Sequence, residues 1–165
     1  MDVLEANYVP LVRLHVVRER FLPYGKDSFV TSETVVKMVK RLLDGADKES
    51  LLVIPVDAKN KPLGVEIAAI GAVNCVYAFA RDIFKNAIVS NATGIFIVHN
   101  HVSGDVLPSE EDWKFTRCMQ EAGDLLGVEV IDHIIIGEDD NYFSMHKTHR
   151  WEMRQQYVSR AKEAS

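Results

Sequence analysis

Apolar residues along this chain fall into short continuous runs and helical stripes, and the two kinds take turns. From Ser32, the residues Val35, Met38, Val39 and Leu42 lie at helical spacing behind a Thr31-Ser32 cap, and Gly45 supplies the stop. Leu51–Val56 is a continuous apolar run, read as a buried strand, and Asp57–Lys61 is a polar turn. Gly64-Val65-Glu66-Ile67 opens a second strand that runs to Val73 and completes a hairpin, with Gly71 allowing a bulge. Phe79, Ile83, Phe84, Ala87 and Ile88 predict a helix to about Ser90. Ile95–Val98 is a further strand, Pro108–Leu126 a helix stopped by Gly127, Val128–Gly137 a strand and Tyr142–Met145 a short last one. Ahead of these, Val9–Val17 reads as a strand, at a sheet edge because Pro10 cannot donate to a ladder. Pro23-Tyr24-Gly25 reads as a turn, and residues 146–165 as a basic helix packed through Trp151 and Tyr157. The alternation predicts an α/β fold, a mixed sheet flanked by helices. It divides the chain into an arm (1–27), a domain (28–147) and a basic C-terminal segment (148–165).

A hydrophobic content of 47% over 165 residues supplies one domain with a real core. The net charge of −5 argues against a general phosphate binder, although both ends are locally basic. Cys75 and Cys118 form no metal pattern and read as small buried hydrophobes. The acidic N-terminus has no leader pattern, and no run of about 18 apolar residues exists. These features predict a cytoplasmic protein with no membrane partner.

The chemistry concentrates in Gly94–Asp112, GIFIVHNHVSGDVLPSEED. Side chains two apart in extended backbone point the same way, so His99 and His101 aim two imidazoles at one point as the strand gives out. Asp112 supplies a third ligand if the loop folds its helix start back. Two His nitrogens and a carboxylate oxygen suit Zn²⁺ with a fourth position open. Ser109-x-x-Asp112 is equally a capping box, and the acidic turn Glu110-Glu111-Asp112 suits a helix dipole. His133 reads as a packed core histidine, able to hydrogen-bond toward the site. His146 and His149 read as surface residues.

His-x-His, seven residues, Ser, two residues, Asp resembles the metal motif of the JAMM (MPN/JAB) metallopeptidase superfamily. HNHVSGDVLPSEED and the later DHIIIG are similar to the RadC branch, and the resemblance runs from about Ser32 to Lys147. Val102 stands where the family has Pro, which bears on loop rigidity. The resemblance implies an MPN/JAB fold similar to that of cytidine deaminase. The zinc deaminases themselves need His-x-Glu and Pro-Cys-x-x-Cys, which this chain lacks. It also implies a catalytic Glu at a strand start before the His pair, which aligns with Glu49. Glu66 is the rival.

On that reading Zn²⁺ held by His99, His101 and Asp112 activates water near neutral pH. Glu49 is the general base, and Ser109 donates to the developing oxyanion. The expected activity is hydrolysis of a peptide or isopeptide. Two other readings stand beside it. One is a DNA-associated protein, against which the charge and the lack here of the helix-hairpin-helix segment of long RadC members both count. The other is a binding module on an inert fold. An edge strand or the C-terminal helix can support a homodimer.

Overall fold

The computed structural model describes residues 9–24, 30–43, 45–71, 79–138, 141–148 and 150–151. Three helices and five strands follow one another as α1 (Ser32–Leu43), β1 (Ser50–Val56), β2 (Glu66–Ile70), α2 (Ala80–Val89), β3 (Gly94–Asn100), α3 (Glu110–Leu126), β4 (Glu129–Ile136) and β5 (Tyr142–Ser144). The strands form one mixed sheet in the order β2-β1-β3-β4-β5. β1 runs antiparallel to both β2 and β3, β3 parallel to β4, and β4 antiparallel to β5. The α/β fold with a mixed sheet flanked by helices is therefore the one predicted.

Each central strand is apolar on both sides because both sheet faces are covered. Leu52, Ile54, Val56, Phe96, Val98, Ile134 and Ile136 meet the α1 stripe of Val35, Met38 and Val39. Leu51, Val53, Ile95, Ile97 and Ile135 meet Ile83 and Phe84 of α2 and Phe115 and Met119 of α3. Burying a side chain of this size contributes about 1.5–3 kcal/mol, so the two clusters dominate the stability. Between them the sheet is a rigid platform, and its β1/β3 end carries the candidate chemistry.

Several expectations need correction. Residues 9–24 contain no strand. Among the described residues no strand pairs with Val9–Val17, and Val9, Leu11, Val12, Leu14 and Val17 stay largely exposed. β2 ends at Ile70 rather than Val73, where Gly71 turns at φ +76° and gives its N–H to the carbonyl of Glu49. Residues 72–73 lie outside the described residues, as do Cys75, His149 and Tyr157. Cys118 is exposed, not buried. It lies on the α3 face that points away from the buried Phe115, Thr116, Met119 and Gln120. The segment expected as a basic helix over 146–165 starts within a 3-10 turn, Met145–Lys147; residues 150 and 151 are helical, and 149 and 152–165 lie outside the described residues. Trp151 is buried as expected, and His146 is exposed.

Candidate metal centre

β3 hands the chain to the site. His99 is its penultimate residue, and His101 follows its end with its N–H on the Ile136 carbonyl. That bond keeps the backbone extended for one more residue, so both imidazoles reach the same side. The loop after His101 turns through Gly104 at φ +80° and packs on Gly137. A Cβ on Gly137 would lie 2.4 Å from the Gly104 carbonyl oxygen, so only glycine permits this approach. The loop delivers Ser109 to the N-cap of α3, where a complete capping box forms. Ser109 Oγ accepts from Asp112 N at 3.1 Å, while Ser109 N and Oγ donate to Asp112 Oδ2 at 2.7 and 2.6 Å. The two readings of Asp112 are thus both true of the geometry. The cap orients a carboxylate that also faces the histidines.

His99, His101 and Asp112 form a metal-competent group, with one ligand atom from each within 4.8 Å of the others. The Nε2 atoms of His99 and His101 are 3.0 Å apart. His99 Nε2 lies 3.3 Å from Asp112 Oδ1, and His101 Nε2 3.6 Å from Asp112 Oδ2. Zinc bonds of about 2.0–2.1 Å in a tetrahedron imply ligand–ligand edges of about 3.3–3.4 Å. The contacts lie near that value, with each histidine facing a different Asp112 oxygen; taken with one ligand atom each, the three residues form a group that could hold a small divalent ion once its edges draw in. The structure brings these three sequence-predicted residues together in one group.

The electrostatics point the same way. A hydrogen bond to Asp112 raises the His101 pKa above its ordinary value against the pull of burial; the Asp105 carbonyl and the Asp112 and Glu49 charges add to the rise. Burial alone would raise the Asp112 pKa, but the adjoining imidazoles of His101 and His99 and the Ser109 hydroxyl outweigh it and hold the carboxyl well below the usual range. Burial, then the neighbouring His99, pushes the His133 pKa well down, so this imidazole is neutral at physiological pH.

Two further residues, Glu49 and Asn100, adjoin the group. Leu51 of β1 pairs with His99, and continuing that register two pairs beyond the ladder puts Glu49 opposite His101. Directly opposed residues of antiparallel strands have Cβ atoms about 4.5–5.5 Å apart, consistent with the Glu49 charge acting on His101. Asn100 clamps this segment, accepting from Ser50 N at 2.8 Å and donating to the Lys48 carbonyl at 3.3 Å. One Glu49 carboxylate oxygen, Oε2, is buried without a hydrogen-bond partner. A buried carboxylate oxygen requires a proton, a donor or a cation, and the metal group is what lies beside it. Glu66 Oε2 is equally unpartnered, but Glu66 stands opposite Val53, two strands from β3 and two residues further from its His end. That is roughly 10 Å across the sheet, so the structure does not bring Glu66 to the histidines. It lines a groove of about 770 Å³ between β2 and the arm instead.

Sequence reasoning missed Thr116, whose hydroxyl touches both His133 and the Asp112 carbonyl. Its spacing of four from Asp112 on one helix was the available signal. His133 is the buried core histidine expected, and its Nε2 also meets His99 Nδ1 at 2.8 Å. Val102 is half exposed in the loop.

Comparison with known proteins shows the family. A family model described as RadC-like JAB domain matches residues 29–151. The UPF0758 protein TTE0897 of Caldanaerobacter subterraneus subsp. tengcongensis is 40% identical over 115 residues, covering 69% of this chain and 49% of the relative. A UPF0758 protein of Moorella thermoacetica is 39% identical over 118 residues, covering 67% and 52%. The UPF0758 protein Mbar_A2303 of Methanosarcina barkeri is 36% identical over 120 residues, covering 73% and 52%. The chain thus spans about half the length of these relatives. Among the described residues, no helix is long and apolar enough to cross a membrane.

Proposed function

The chain belongs to the RadC-like JAB-domain family, and on that premise we propose that it is a zinc-dependent hydrolase acting on a peptide or isopeptide bond. The observation that carries the reading is the triangle of His99, His101 and Asp112 ligand atoms beside the unpartnered oxygen of Glu49. A divalent ion held by that triangle acts as a Lewis acid and lowers the pKa of water to about 7. The remaining work falls to the chain. Glu49, pinned by Asn100 and by the Gly71 N–H on its own carbonyl, takes the proton of the attacking water and returns it to the leaving amine. Asp112 is kept in place by the cap. Ser109 can donate to a developing oxyanion once its hydroxyl turns from Asp112 Oδ2, to which it now donates at 2.6 Å. We assign this activity to residues 28–147, with 1–27 as an arm.

The test is hydrolysis of a panel of fluorogenic peptides and isopeptide-linked conjugates by zinc-loaded protein, chelated protein and a Glu49→Gln variant. Turnover by the loaded protein alone, with the variant lower by about 10²–10⁴-fold, is the expected outcome. A loaded protein that cleaves nothing on the panel would move the reading to a binding module.

A further inference from the structure

The site contains a chain of hydrogen bonds that the catalytic reading does not use. Thr116 Oγ1 donates to the Asp112 carbonyl at 2.6 Å, with Met145 Sδ at 3.6 Å as its other contact. Neither of those atoms carries a proton to give back, so toward His133 Nδ1, at 2.6 Å, the hydroxyl can only accept. His133 Nδ1 must then hold the hydrogen. The ring is wholly buried, and its Nε2 is left with a lone pair. That lone pair faces His99 Nδ1 at 2.8 Å, so His99 Nδ1 must be the donor there. The consequence falls on the remaining nitrogen. His99 Nε2 carries no hydrogen and presents its lone pair to His101 Nε2 and Asp112 Oδ1, 3.0 and 3.3 Å away. His101 Nδ1 gives its proton to the Asp105 carbonyl at 2.6 Å, so a proton on its Nε2, between His99 Nε2 and Asp112, is the one an ion displaces.

We infer that Thr116 and His133 are positioning residues that lock His99 in its Nδ1–H tautomer and so reserve its Nε2 for a metal ion. The inference rests on the metal-site reading of the proposed function. The relay begins on the backbone of Asp112 and ends on the side chain of His99, so two of the three ligands hold each other's geometry through the core. Replacing Thr116 by valine keeps the shape and removes the acceptor. His133 is then free to carry its hydrogen on Nε2, which turns the His99 Nδ1 contact around and places a hydrogen on the nitrogen that faces the site.

Two measurements decide it. The first is a long-range ¹H–¹⁵N correlation spectrum of metal-free wild-type protein at mildly alkaline pH. His99 and His133 should both appear as Nδ1–H tautomers, and a His99 protonated on Nε2 overturns the relay. The second is zinc affinity by competition with a chromophoric chelator. Thr116→Val should weaken binding by about 10–100-fold, the range known for partners of metal-ligating histidines, and shift His99 toward Nε2–H. Thr116→Ser, which restores the hydroxyl, should bind as wild type does. Equal affinity in wild type and Thr116→Val overturns the inference. Wild-type protein that binds no zinc would instead sink the metal site itself, and the spectrum would still decide the relay.

Discussion

Asp112 has two duties, and a pair of substitutions separates them. Its carboxylate closes the α3 cap by accepting from Ser109 N and Oγ, and it faces both histidines. Asp112→Asn keeps an oxygen for Ser109 but loses the anionic ligand. Asp112→Ala loses both. Ser109 is exposed and its freed groups can turn to water, so losing the cap contact costs about 1–2 kcal/mol rather than the full penalty of a buried charge-assisted bond. In a chain of this size about 1 kcal/mol moves the melting temperature by roughly 2–4 °C. Zinc at about 100 times its dissociation constant adds about 2.7 kcal/mol to the protein that binds it, or roughly 5–11 °C. Thermal unfolding of chelator-treated protein, with and without added zinc, reads both. Wild type should rise with zinc by that amount. Asp112→Asn, which also loses the attraction between Asp112 and His101, should start below wild type and not rise; Asp112→Ala, which loses the cap as well, should start lower still and not rise. An Asp112→Asn protein with the full zinc-dependent rise would refute the assignment of this carboxylate as a ligand.

Further outcomes follow from the same geometry. Glu49→Gln should retain a full equivalent of zinc while losing turnover, and Glu66→Gln should keep both; metal analysis beside the hydrolysis panel checks the pair. In metal-free protein, the raised pKa of His101 gives stability that is present below its unfolded value of about 6.5 and lost as pH rises through the folded one. The lowered pKa of Asp112 gives stability present above about 3.9 and lost as pH falls through its depressed value. Melting temperature against pH should therefore carry a contribution from this pair that is greatest between those limits. An ion must displace the His101 proton, so zinc affinity measured by chelator competition should strengthen as pH rises through the upper limit, and a flat profile would contradict it. Gly137→Ala drives a Cβ onto the Gly104 carbonyl, so the loop from His101 to Pro108 should shift; weaker zinc binding with an intact far-ultraviolet dichroism spectrum is the expected signature.

How far the sequence could be read depended on whether the signal was local. The helices, the buried strands β1, β3 and β4 and the cap at Ser109 follow from neighbours within one or two turns and formed, although Phe79 and Ile88 of the expected α2 stripe are exposed. The candidate metal group was visible because His99 and His101 share a strand end and Asp112 opens the next helix. The choice between Glu49 and Glu66 was not local. It depends on the β1/β3 register, which places Glu49 opposite His101 and leaves Glu66 two strands away. The strand expected over Val9–Val17 failed for a related reason, since alternating apolar residues make a strand only where an edge receives them. Cys118 was misplaced because a cysteine's burial follows the helix face it lands on. Thr116 and His133 belong to different elements whose meeting no spacing announces.

The most direct measurement is the metal content of wild-type protein reloaded after chelation, set beside a His99→Ala/His101→Ala double variant treated alike. One equivalent of zinc per wild-type chain and none in the variant is the predicted result. A full equivalent in the double variant, or none in the wild type, would contradict the account.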